Sequence, residues 1–172
     1  MDLSWQTAHN ILPTNQRLHR FNIISSPNCA CCSSVETVEH LFVHCWVAQA
    51  VWQQTIALLN TFTSNPQHIK LDYRVVLFNI IPPPVTPRIN EVIITIVNQG
   101  KYIIWKARNL IKFERKVFSP SQVSSFLISI LKNKLNIDKL ILSETVFRCL
   151  WLEHPSGIRL GSGGEVLFDG FL

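Results

Sequence analysis

Acidic residues are scarce in this chain and never clustered. The four aspartates, Asp2, Asp72, Asp138 and Asp169, stand far apart, and the seven glutamates are equally scattered. Enzymes that polymerise or cut nucleic acid hold two metal ions between neighbouring carboxylates, so the sequence is expected to be non-catalytic. Glycine is sparse too. Only six occur in 172 residues, and the one cluster, Gly161–Gly164, lacks the Lys-Ser/Thr pair of a phosphate-binding loop. No long hydrophobic run is present: the best candidate, Val92–Trp105, is broken by Thr95, Asn98, Gln99, Gly100 and Lys101, which argues against a membrane span. The N-terminus MDLSWQTAHN lacks the basic head and apolar stretch of a secretory signal, so the expected setting is intracellular, nucleus or cytoplasm.

What remains is a chain able to bury a core. It is 47% hydrophobic and 16% charged, with a mean hydropathy of +0.19, a composition incompatible with general disorder. Its length suits one domain with at most a small appendage. The net charge of +5 permits contact with nucleic acid without requiring it.

Helix signals dominate. Residues 3–12 read as a short helix interrupted by Pro13, and Thr14 is placed to cap a second over 15–21. Another starts near Thr37 and runs to Asn60 with a break around Cys45. The connection 61–87 ends in Ile81-Pro82-Pro83-Pro84 and reads as a stiff proline-rich linker between two helical halves. The longest helix is expected over 88–118, where Ile89, Ile93, Ile96, Gly100, Ile103, Ala107 and Leu110 recur at three- and four-residue steps. Gly100 in mid-helix marks close packing against another helix. Ser119-Pro120-Ser121-Gln122 forms a capping box, and a last helix falls at 143–151. The predicted fold is all-α: a small zinc knuckle embedded in N-terminal helices, followed by a helical bundle with one long helix. The expected segments are 1–60, 61–87 and 88–155, then a flexible Gly/Ser-rich tail, 156–172, ending in at most a short strand at 165–168.

Cysteine is where the sequence is rich. Four cysteines and two histidines fall between Cys29 and Cys45. Zinc takes four nitrogen or sulfur ligands at the corners of a tetrahedron. Cys29-x2-Cys32 supplies two from one turn, and His40-x4-Cys45 closes the site, giving one structural zinc ion. Cys31 would make a cramped chelate with Cys29 and reads as a bystander. His44 lies four residues from His40, so a His40/His44 pair with Cys45 in the core is the alternative.

The long helix carries the charge. Residues 101–116 hold Lys101, Lys106, Arg108, Lys112, Arg115 and Lys116 against Glu114, a balance equal to the +5 of the whole chain. Lys101, Arg108, Lys112 and Arg115 fall on one stripe of an ideal helix, beside Trp105. Such a stripe suits phosphate contact with base stacking; it is equally what a solvated helix face with Trp105 covering a core edge would look like.

Trp5, Ile11-Leu12-Pro13-Thr14, Leu18-His19-Arg20, Ser26-Pro27-x-Cys29-x2-Cys32, Glu36-Thr37-Val38-Glu39-His40-Leu41-Phe42, Cys45 and Trp52 together resemble the reverse transcriptase zinc-binding domain. That domain forms the C-terminal CCHC region of LINE-type (non-LTR) retrotransposon polyproteins. Lys101-x3-Trp105-Lys106-x-Arg108 looks like the helix that follows it in these elements. The resemblance covers residues 3–60 well and 92–112 loosely. It implies Cys29, Cys32, His40 and Cys45 as zinc ligands, RNA or DNA as partner, and a neighbouring polymerase domain of the parent polyprotein. The rival reading is a protein-interaction or scaffold remnant that packed against the polymerase and binds no nucleic acid of its own.

Overall fold

The computed structural model describes residues 3–60, 70–83, 86–117, 119–152 and 158–168. The expected loop at 61–69, the end of the triple proline, the start of the Gly/Ser-rich tail, and Asp2 and Asp169 lie outside them.

The chain opens with two one-and-a-half-turn helices, α1 (Leu3–Ala8) and α2 (Asn15–Arg20). Thr14 caps α2, its hydroxyl accepting the Arg17 N–H. A long loop leads to a π-helical turn at His40–His44, and Cys45 then breaks the helix by turning extended before α3 (Trp46–Asn60) begins. Helix α5 (Pro87–Glu114) is the axis of the molecule and packs on α1, α3, α4 (Tyr73–Phe78), α6 (Pro120–Ile141) and α7 (Glu144–Trp151) as well as the π-turn. At 28 residues it is about 42 Å long. Helices α6 (Pro120–Ile141) and α7 (Glu144–Trp151) complete the bundle. The capping box at Ser119 and Gln122 is present in full, and Ser143 caps α7.

Gly100 shows why α3 can lie so close to α5. A Cβ there would stand 2.5 Å from Cζ3 of Trp52, a buried ring whose Nε1–H donates to the Phe42 carbonyl at 2.6 Å. One hydrophobic cluster runs from Leu12 through the π-turn, α3, α4, α5, α6 and α7 to Val166, so the core has members on both sides of the proline-rich stretch.

Three elements depart from expectation. Helix α4 (Tyr73–Phe78) lies where a loop was expected. Asp72 Oδ1 accepts the N–H groups of Arg74 and Val75 to start it, and left-handed Asn79 ends it. Helix α5 stops at Glu114 rather than 118 because Arg115 is left-handed, with φ 55°. In the expected flexible tail, β1 (Ile158–Leu160) pairs antiparallel with β2 (Val166–Phe168). Ile158 and Val166 are buried in the core, and Lys139 on α6 donates to the Gly164 carbonyl. The hairpin adds a two-stranded sheet to an otherwise helical fold.

Candidate metal centre

The loop between α2 and the π-turn is built from local backbone bonds. Asn28 and Val35 form an isolated antiparallel bridge. Inside it the Cys29 N–H donates to the Ser34 carbonyl at 2.7 Å and the Ser33 N–H to the Cys29 carbonyl at 3.2 Å. Ser33, left-handed at φ 59°, turns the chain back after Cys32. The Cys31 N–H points at the Cys29 sulfur, 3.4 Å away. Thr37 Oγ1 accepts the His40 N–H at 2.8 Å and so starts the next turn.

That turn is π-helical for a reason the ligand spacing supplies. The Cys45 N–H bonds to the His40 carbonyl, five residues back. In an α-helix residues five apart diverge by roughly 140°; an i→i+5 turn brings them nearly over one another. His40 and Cys45 therefore face the same point, while Leu41 and Phe42 remain free to fill the core.

The donor atoms of Cys29, Cys32, His40 and Cys45 all lie within 4.8 Å of one another. Cys29 Sγ is 4.0 Å from Cys45 Sγ, and Cys32 Sγ is 3.1 Å from His40 Nε2. Zn–S bonds near 2.3 Å and Zn–N bonds near 2.0 Å give tetrahedral edges of about 3.5–3.8 Å, so the set fits one zinc ion with only small adjustments. All five cysteines are free thiols. Cys29 and Cys45 are buried and Cys32 is exposed, placing the ion at the edge of the core. Four protein ligands leave no open position, which makes this a structural site rather than a catalytic one.

The close sulfurs also share charge. Hydrogen bonds from the Cys31 and Cys45 thiols pull Cys29 far below the ordinary thiol range. The bond to Cys29 pushes Cys31 far up and Cys45 up to about 12. Without a cation the neighbouring sulfurs accommodate one thiolate and keep the others protonated; a dication at their centre supports several.

The two ambiguous residues separate cleanly. Cys31 is half-buried and stands outside the four-ligand group; its carbonyl accepts the Trp46 Nε1–H at 3.1 Å. His44 is exposed and bonds Glu39 at 3.2 Å, so the His40/His44 alternative does not form.

The cationic stripe of α5 is partly buried. Lys101 is fully buried, its Nζ 2.7 Å from Asn79 Oδ1 at the end of α4. Arg108 is 3% exposed and reaches into the metal loop. Its Nη2 lies 2.6 Å from Glu36 Oε1 and 3.2 Å from the Pro13 carbonyl, and it also donates to Asn15 Oδ1 at 3.1 Å. Lys112 is half-buried and also bonds Asn15; burial, then Arg108, lowers its pKa. Trp105 is half-buried against the core under the Arg108 guanidinium, 5.0 Å from its centroid. Only Arg115 is fully solvent-facing. The stripe is aligned as helical geometry requires, but its Lys101 and Arg108 are buried against Asn79 and Asn15, and only its C-terminal end reaches solvent. Glu36 and Asn15 complete this polar interior; the sequence marks Glu36 only as part of the zinc-segment motif and gives Asn15 no role, the one hint being that residues 3–35 contain no acid at all.

Among the described residues no helix is long and apolar enough to cross a membrane. Comparison with curated proteins and with solved structures gave no match. Residues 2–52 match the family model described as zinc-binding in reverse transcriptase. The Cys29, Cys32, His40 and Cys45 cluster falls inside that match, so this part of the chain is similar to the zinc-binding segment of reverse transcriptases.

Proposed function

We propose that the chain is a non-catalytic, nucleic-acid-binding piece of an intracellular LINE-type reverse transcriptase polyprotein, with zinc shaping the surface that meets RNA or DNA. The observation that carries this reading is the Lys112–Asn15 bond, which sets the basic end of α5 beside α2. Helix α2 presents Arg17, His19 and Arg20 in a stretch without acids, and Arg115 and Lys116 extend the positive region from α5. Bound zinc with three thiolates contributes −1, so the net charge falls only from +5 to +4. Phe21 is 58% exposed beneath Arg17, whose Cζ is 5.5 Å from its ring centroid. It offers the stacking face that half-buried Trp105 does not.

The test is the affinity of the zinc-loaded chain for single-stranded RNA and duplex DNA across a salt series. Phosphate binding gives a log–log slope of about −0.7 to −0.9 per contact. Arg17→Ala and Arg20→Ala should each reduce that slope by about one contact. A chain that binds neither polymer at low salt overturns the proposal.

A second reading rests on a different surface. Ile137, Leu140, Ile141 and Val146 are all at least 50% exposed where α6 meets α7. An apolar corner of this kind suits packing against a protein such as the polymerase domain. Absent nucleic-acid binding, combined with association with that domain, would favour it.

A further inference from the structure

The segment that matches the family model ends at residue 52, yet the polar interior of its metal loop is completed by a side chain far beyond it. Glu36 lies between the ligands Cys32 and His40 and is fully buried. Its own N–H donates to the Pro27 carbonyl at 2.9 Å, and its carbonyl accepts the Gln16 N–H at 3.2 Å. Its carboxylate accepts the Asn15 N–H at 2.8 Å and pairs with Arg108, 72 positions away, where the two side chains are 0% and 4% exposed. Asn15 carries the contact onward: its Nδ2 donates to the Asn28 carbonyl at 2.6 Å, directly before Cys29. A guanidinium on α5 is thus joined through two side chains to both ends of the ligand loop.

A carboxylate at this depth is costly unless paired, and removing one partner strands the other. In the folded loop the cation that pairs with Glu36 is Arg108. No group within residues 3–35 replaces it, since the only cations there, Arg17 and Arg20, belong to an exposed or half-exposed face of α2.

We propose that Arg108 is a positioning residue of the metal centre, so that zinc binding and the docking of α5 on the metal loop are one coupled event and the matched segment alone is an incomplete zinc site. Coupling of this kind is reciprocal: if docked α5 strengthens zinc binding, bound zinc strengthens the docking of α5 by the same factor. The inference stands on the metal centre and is independent of the nucleic-acid role.

The test uses the full chain. Zinc affinity is measured by competition with a chromophoric chelator for the wild type, Arg108→Met, Arg108→Lys, Arg115→Met and Leu135→Ala. The last removes a fully buried side chain from α6 and controls for general destabilisation. Arg108→Met is expected to weaken zinc binding at least tenfold and Arg108→Lys less. Arg115→Met and Leu135→Ala should stay within twofold of wild type. Replacing Glu36 by Gln in the Arg108→Met background should recover part of the loss, because the stranded charge is gone. The visible spectrum of the cobalt-loaded chain should change with Arg108→Met and not with Leu135→Ala. Should the Arg108 variants fail to fold, the wild type still decides: chelation should lower amide-exchange protection in residues 104–112 as well as in 29–45. Unchanged zinc affinity in folded Arg108→Lys and Arg108→Met, equal losses in Leu135→Ala, or undiminished protection of α5 on chelation would each overturn the coupling. A chain that takes up no zinc would instead overturn the metal centre itself.

Discussion

Two polar clusters, one buried and one at the edge of the core, lie side by side in this molecule and solve the same problem by opposite means. Around Glu36 the buried carboxylate has its counter-charge on the chain in Arg108, with Asn15, Asn109 and the Pro13 carbonyl accepting further guanidinium hydrogens. Around Cys29, Cys32, His40 and Cys45 four donor atoms converge within 4.8 Å of one another. The first cluster is complete when the chain folds. The second needs an ion from solution, and the free energy of binding that ion is also folding energy for the loop. The difference sets where each cluster is attacked first, one by mutation of a distant helix and the other by a chelator, and the coupling between them passes the loss on.

The largest expected effect comes from the second cluster. Structural zinc in small finger peptides contributes roughly 10–16 kcal/mol, so chelation or Cys29→Ser should loosen the N-terminal segment. Circular dichroism and limited proteolysis would show cleavage concentrated in the metal loop and around the π-turn. A chain whose proteolytic pattern ignores chelator breaks the contrast.

Next comes the self-contained cluster. Arg108→Met should cost about 3–5 kcal/mol of unfolding free energy, as expected when a buried partner is stranded. Glu36→Met with Arg108→Met should cost less than the sum of the two single changes. Denaturant titration of the zinc-loaded forms measures both. Gly100→Ala follows, at about 1–3 kcal/mol, because the added methyl must displace the Trp52 ring; its melting temperature should fall although alanine is the better helix former. The smallest is Asp72→Ala. Losing the cap of α4 should cost about 1 kcal/mol and leave zinc binding untouched.

The same pair of clusters explains what could be read in the sequence. The ligands were legible because zinc imposes short spacings, and Cys29-x2-Cys32 with His40-x4-Cys45 satisfies them within one segment. Thr14, Gly100 and the box at Ser119 and Gln122 were legible because caps and close helix packing also depend on near neighbours. The destination of Arg108 was not, because its partner is 72 positions away and a stripe on a helix does not say which side meets solvent. Helix α4 escaped notice for a local reason. Its six residues include Val75, Val76 and Leu77 in a run, all buried, and such a run carries no helical period. The hairpin was half visible: β2 showed as a short strand, but β1 sits in a segment whose glycines and serines read as mobile.

The central claim is a single zinc ion held by Cys29, Cys32, His40 and Cys45, and metal content of purified variants tests it most directly. Native mass spectrometry with elemental analysis should give one zinc per chain for the wild type, Cys31→Ser and His44→Ala, and none for Cys32→Ser or Cys45→Ser. One zinc retained by Cys32→Ser and lost by Cys31→Ser would contradict the account.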